Sequence, residues 1–259
     1  MRDILNKLAR GEISVGQAEK DLKLLALEEI GNLAKFDIGR EARRYIPEIV
    51  IAEGKTPQDV VEIILRALTK QGRVIISRAN QQHAEAVQSA TPADTTFHWN
   101  QKARILMVKD KNLEAVRTGG RVGILTAGTS DIPIAEEARV IAEEMGCIVT
   151  TAYDVGIAAI HRLFHPLKEM LEKDVDAIVV VAGREGALPS VVAGLVDVPL
   201  IAVPASFGYG FGGNGVGALM AMLQACPLGL ATVNIDGGVP AGTVAALIAN
   251  RVAKFRTGS

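Results

Sequence analysis

LTAGTSDIPIAEEA, residues 125–138, packs Gly128, Thr129, Ser130 and Asp131 into a turn between a strand-like run and a helical one. Small residues let a backbone come close to a ligand, and amides at a helix start can face an anion, so the turn is a candidate phosphate or carboxylate cradle. A purely local reading competes with this: Ser130 or Asp131 caps the helix while Pro133 sits in its first turn. The stretch lacks the Gly-Lys-Ser/Thr ending of a Walker A loop and the three spaced glycines of a dinucleotide fingerprint. The charge of Asp131 would repel a bare phosphate. That leaves it a ribose hydroxyl, a metal, a proton in transit, or a direction away from the ligand.

Other residues with chemical potential fall in loops further along. His161 and Arg162 are either a solvated basic pair or an anchor for carboxylate or phosphate. Glu185, beside Gly186 at a strand's carboxyl end, suits a general base or a ribose ligand. Asp236 in VNIDGG can bind magnesium through its oxygens or serve as a turn residue before Gly237. The loop PASFGYGFGGNG and its sequel place six glycines within 208–217, more than turn chemistry needs. That richness points to close approach of a ligand or a second subunit, or to a lid, with Tyr209 stacking on a ring or packing at an interface. Cys226 closes MAMLQACP, where the helix dipole gives a thiolate no help. Residue physics alone favours a buried, inert thiol there. The four histidines and two cysteines lack the short spacings of a structural zinc site.

The elements that must hold these residues are legible as a rhythm. Residues 1–115 carry 6 of the 26 glycines and residues 116–259 the other 20, which puts a boundary near RTGG at 117–120. The expected domains are therefore 1–116, small and mainly helical with short strands, and 117–259. In the first, residues 4–27 read as two helices about Gly11, and TPQDVVEIILRAL at 56–68 reads as a helix capped by Thr56 with Pro57 at its first position. RVIIS and RILMV are its short strands, around a helical stretch near 80–89. In the second, RVGILTAG, CIVTTAYD, DAIVVVAG, PLIAVPA and LGLATVNID alternate with helical segments. This predicts an α/β fold, a parallel sheet flanked by helices in three layers. The loops at 127–131, 153–156, 182–190, 204–215 and 234–242 then gather outside the strands' carboxyl ends, where a ligand crevice belongs.

The whole chain excludes several classes. Its 259 residues are 49% hydrophobic and 4% aromatic, with 28 basic against 29 acidic side chains, so there is no basic surplus for nucleic acid. The longest apolar run, AIVVVAG, is far below membrane-spanning length. MRDILNKLARGEIS does not read as a secretory leader, and two cysteines make no disulfide framework, so a cytoplasmic protein with reduced thiols is expected.

Taken together, GILTAGTSDIPIAEEA, YDVGIAAIHRL, AGREGALPSVVAGLVDVP, PASFGYG, CPLG and VNID closely resemble the LarB family, which begins synthesis of the nickel-pincer nucleotide cofactor. FDIGREARR and PEIVIAEGKTPQDV extend the resemblance into the first half, and the second half is similar to the aminoimidazole ribonucleotide carboxylases. The resemblance implies carboxylation of the pyridinium ring of nicotinic acid adenine dinucleotide by carbon dioxide or bicarbonate. Phosphoanhydride cleavage accompanies it, giving AMP and pyridinium-3,5-biscarboxylic acid mononucleotide. It makes Cys226 the nucleophile that attacks the ring, reversing the inert reading because the electrophile is itself cationic. Asp131 and Glu185 become the candidates for proton transfer and ribose contact. Gly128, Thr129 and Ser130 cradle phosphate, His161 and Arg162 neutralise charge, and Tyr153, Ser206, Gly208, Tyr209 and Gly210 add substrate contacts. Asp236 is the expected ligand of magnesium. The implied assembly is a homo-octamer with sites near subunit boundaries, serving proteins downstream in cofactor assembly.

The sequence departs from the family pattern at Gly237, Arg184, Ala225, Gly39 and Tyr45, which puts the ring pocket and substrate preference in question more than the reaction class. Two alternatives stay open: an aminoimidazole ribonucleotide carboxylase or mutase, which needs no Cys226, and a nucleotide-binding regulatory module without turnover.

Overall fold

The computed structural model describes residues 2–24, 28–30, 34–36, 45–113, 117–208 and 210–256. Two compact units divide at Glu114 and Ala115. The first begins with helices α1 (Arg2–Ala9) and α2 (Val15–Leu24), then a small antiparallel pair, β1 (Glu28–Ile30) and β2 (Ala34–Phe36). FDIGREARR, apart from Phe36, and with it Gly39, lies outside the described residues.

Helix α3 (Pro57–Gln71) starts where the sequence signals it. Thr56 Oγ1 accepts from the Asp59 amide at 3.2 Å, and Asp59 Oδ2 accepts from the Thr56 amide at 3.0 Å. Gly72 ends it in the left-handed region at φ 66°. With α4 (Gln81–Ala90) this helix covers a four-stranded sheet ordered β3 (Ile49–Ile51), β4 (Arg73–Ser77), β6 (Ile105–Asp110), β5 (Thr95–Asn100). β3 and β4 run parallel, and the other pairs are antiparallel. Val60, Ile64, Val74, Ile76, Leu106 and Val108 form the core between, with Phe97 and Trp99 packed against it. RVIIS and RILMV were expected as strands; β3 and β5 were not.

The second unit is a parallel five-stranded sheet. Its order is β11 (Leu230–Thr232), β10 (Leu200–Pro204), β9 (Ala177–Ala182), β7 (Arg121–Thr126), β8 (Ile148–Ala152). Every residue of the central β9 is buried, which is why its sequence is an unbroken apolar run rather than an alternation. One face carries α5 (Ile132–Glu144) and α9 (Gly238–Arg256); the other carries α6 (His161–Glu172), α7 (Leu188–Ala193) and α8 (Val216–Leu223). α5 and α9 touch almost backbone to backbone. A Cβ on Gly238 would strike the Ile134 carbonyl and one on Gly242 the Ala138 carbonyl, with Ala241, Ala245 and Ala249 fully buried along the same helix. The expected three layers are present. β11 is shorter than LGLATVNID suggested, and α8 stops at Leu223 rather than near 225. No helix of the described residues is long and apolar enough to cross a membrane.

Candidate active site

Strand β7 has β8 on one side and β9 on the other, so the chain leaves it in opposite directions and a crevice opens over its carboxyl end. A cavity of about 290 Å³ lies there. Its walls come from the turn after β7 (Gly128, Ser130, Asp131), from Asp154 and Arg162 after β8, from Arg184 and Glu185 after β9, and from Phe207 after β10. Glycines let these loops close on each other. A Cβ on Gly156 would strike the Ala127 carbonyl, and one on Gly183 would come within 2.6 Å of the Phe207 carbonyl.

Asp131 is the floor of this site. It is 4% exposed, its Oδ2 accepts from the Gly128 amide at 2.9 Å, and the Gly183 amide also donates to its carboxylate. Burial raises its pKa to about 6; the two amides oppose the rise and the negative charge of Asp236 adds to it. Its side chain makes no bond that caps α5; it bridges the loops after β7 and β9 instead. Thr129 and Ser130 are exposed in the short 3₁₀ turn that leads into α5.

Arg162 lines the cavity paired with an acidic neighbour. Its Nη1 donates to Asp154 Oδ2 at 2.5 Å, while the Asp154 amide donates to the buried Thr126 Oγ1 at 3.0 Å. His161 is exposed at the start of α6 and is not part of the cavity wall. Tyr153 also faces elsewhere: its hydroxyl donates to Glu136 Oε1 at 2.5 Å, within a network in which Arg139 holds Glu136 and Glu143. Burial, then Glu136, pushes that phenol up to about 12. Glu185 is exposed on the cavity wall.

Asp236 Oδ1 accepts from the Ser206 amide at 2.8 Å, and its own amide donates to the Pro204 carbonyl at 2.8 Å, so this carboxylate fastens the start of the glycine-rich loop. Among the described residues no group of three or more His, Cys, Asp or Glu could hold a metal ion. Gly208 is exposed near the Arg184 backbone, Gly210 is exposed with φ 81°, and Tyr209 lies outside the described residues.

The two thiols take opposite environments. Cys147 is buried, its Sγ 3.2 Å from Asn250 Oδ1, and burial pushes its pKa up to about 12. Cys226 is exposed, which overturns the residue-level expectation of a buried thiol. α8 ends three residues before it, and the following segment crosses open surface where Leu228 is 93% exposed. Because α8 returns from the carboxyl end of β10 to start the parallel β11, Cys226 sits at the amino end of the sheet. Asp131 and Glu185 line the cavity at the carboxyl end, so one chain does not bring its proposed catalytic residues together.

Sequence reasoning missed Asp154 and Phe207 as wall residues and treated Arg184 only as a departure. All three belong to loops it had placed at the crevice. Asp154, Arg184 and Asp236 adopt left-handed backbones at φ 59°, 51° and 55°, a conformation that aspartate enters more readily than most residues but that arginine does not signal.

The fold and this crevice are those of the AIR carboxylase family, whose model matches residues 121–256. Residues 27–111 match the LarB/PurE-like N-terminal domain. The combination is that of LarB-type enzymes of nickel-pincer cofactor biosynthesis, and the chain belongs to that family. An uncharacterized protein of Methanocaldococcus jannaschii is 45% identical over 96% of each chain. N5-carboxyaminoimidazole ribonucleotide mutase of Thermotoga maritima is 32% identical over 48% of this chain and 66% of its own length. Phosphoribosylaminoimidazole carboxylase of Candida albicans is 26% identical over 78% of this chain and 36% of its own. Membership supports a carboxylase- or mutase-type activity on a nucleotide.

Proposed function

We propose that copies of this chain assemble and together carboxylate the pyridinium ring of nicotinic acid adenine dinucleotide, with water hydrolysing its phosphoanhydride to release AMP and leave the mononucleotide. The observation that carries this reading is the exposed Cys226, flanked by uncovered apolar side chains: Met220 at 57%, Leu223 at 67% and Leu228 at 93% exposure. A thiol set in such a patch is accessible as a nucleophile and is covered once a second copy packs there. The partner subunit's Cys226 then completes the cavity at the carboxyl end of the sheet.

The chemistry follows from those groups. The thiolate adds to a ring carbon, and the electron pair displaced onto the ring nitrogen leaves a neutral enamine. The nucleophilic carbon of that enamine forms a bond to carbon dioxide, giving the new carboxylate and an iminium. Glu185 receives the ring proton from the carbon just carboxylated, and expulsion of the thiolate restores the aromatic pyridinium. The amides of Thr129 and Ser130 hold phosphate, while Gly128 and Asp131, bonded to each other, fix the turn. Asp236 is the residue that would hold magnesium, which would offset charge on the phosphates, while its Oδ1 also accepts from the Ser206 amide.

Incubation with nicotinic acid adenine dinucleotide, magnesium and carbon-13 bicarbonate tests this. The expected products are AMP and a mononucleotide bearing one labelled carboxylate, with a protein–substrate adduct in the intact mass that C226S lacks. A fully active C226S variant would overturn the covalent route. A second reading, a carboxyaminoimidazole ribonucleotide mutase, is favoured by one observation: the cavity within a single chain has no thiol in its wall. Turnover of that substrate by C226S would establish it. Tight binding of the dinucleotide without any product would instead mark a regulatory module.

A further inference from the structure

We propose that Thr126 is a positioning residue: it holds Asp154 in a strained turn from which the Asp154 carboxylate presents Arg162 to an anionic group of the nucleotide; this rests on the dinucleotide reading above. The ladder between β7 and β8 ends at Leu125 and Ala152. Beyond it the fully buried Thr126 accepts from two successive amides of the chain leaving β8, its Oγ1 from Asp154 at 3.0 Å and its carbonyl from Val155 at 2.9 Å. With both amides on one residue, the chain turns at Asp154 through the left-handed region, at φ 59°. Gly156 closes the turn, since a Cβ there would lie 2.4 Å from the Ala127 carbonyl. Positions 154, 155 and 156 are thus fixed against 126 and 127, and a left-handed backbone at a residue other than glycine persists where its surroundings over-determine it.

What the turn supports decides its purpose. Asp154 Oδ2 accepts from Arg162 Nη1 at 2.5 Å, and the two side chains are 44% and 39% exposed. A pair so open to water adds little to stability. Strain maintained beneath such a pair, on the wall of the cavity, points to function instead. The bond engages one N–H of a planar group that carries several, so Arg162 can donate to an oxyanion in the cavity while Asp154 keeps the guanidinium from swinging. Fixing it in advance lowers the ordering cost of binding. The dinucleotide offers such an oxyanion in its phosphates and in its ring carboxylate. Thr126, fully buried, meets neither of them and acts through Asp154.

Calorimetric titration of the full chain with nicotinic acid adenine dinucleotide and with nicotinamide adenine dinucleotide tests this. D154N keeps a residue at home in the left-handed region but removes the charge, and should weaken binding of the first ligand about fivefold to tenfold. T126V, which loses the hydroxyl with little change of shape, should weaken it by a similar factor, whereas T126S, which keeps the acceptor, should stay within about twofold of wild type. In a D154N background T126V should add nothing, the mark of a residue that acts through another. In turnover D154N and T126V should each raise KM with little change in kcat. A loss shared by both dinucleotides supports the role with phosphate on Arg162; a loss confined to the first supports it with the ring carboxylate there. If T126V does not fold, T126C, whose sulfur is a weaker acceptor, gives the same comparison. Undiminished binding by either single variant, or losses that add in the double variant, overturns the positioning role alone. A wild type that binds neither dinucleotide overturns this proposal and the dinucleotide reading with it.

Discussion

Asp131 keeps its carboxyl group between two backbone amides in a place that water hardly reaches, and its titration is therefore written into the stability of the fold. Its pKa rises from 3.8 to about 6, so between those values the folded chain holds a proton that the unfolded chain has released. Stability from this group is full below pH 4, falls as pH climbs through 6, and is level above. The fall is on the order of 3 kcal/mol, because each tenfold change in proton affinity is worth about 1.4 kcal/mol. Urea titrations at pH 4, 5, 6 and 7 should show that slope in the wild type and lose it in D131N; an identical slope in both would mean another group is responsible. The sequence showed that Asp131 belonged to the site but not which way it pointed. Tyr153 and Arg162 illustrate the same limit, since the Glu136 and Asp154 that claim them are distant or unremarkable in sequence.

Among the elements, the strands of the second unit and the helix following each were legible because continuous β-branched runs and helical spacing are strong signals. β5 was missed although Phe97 and Trp99 alternate with Thr96, His98 and Asn100, the polar members masking a half-buried strand. The small-residue face of α9 was visible as sequence, yet its partner was not, because nothing local says that Gly242 must pass the Ala138 carbonyl. A side chain there forces the two helices apart. G242V should cost about 2 kcal/mol or more, the upper range of overpacking, with G242A milder. Chemical denaturation checks this, and a G242V variant as stable as wild type would show that α5 and α9 can separate freely.

For the whole molecule, what matters is that the cavity and the exposed thiol occupy opposite ends of the same sheet. That separation was available from the sequence, since Cys226 precedes a strand while every crevice loop follows one; a motif match carries no such spatial information. If a partner supplies the thiol, two disabled chains can restore each other. Mixing C226S with E185Q after reversible dissociation should recover about a quarter to a half of turnover, depending on how sites pair, because some mixed interfaces join two intact halves. Sedimentation should show an oligomer that L223E, which puts a charge into the patch beside Cys226, converts to smaller species. Silent mixtures and a monomeric wild type would together return the thiol to its own chain.

The α5–α9 seam also has a bearing on synthesis. α5 is made early in its unit, yet Ile134 and Ala138 present their carbonyls to a helix spanning residues 238–256. Until those residues leave the ribosome, α5 lacks the helix against which Ile134 and Ala138 rest in the finished fold. The nascent unit therefore carries all five strands of its sheet before the helix that seals this seam is made, and incomplete chains of that kind offer apolar surface to chaperones.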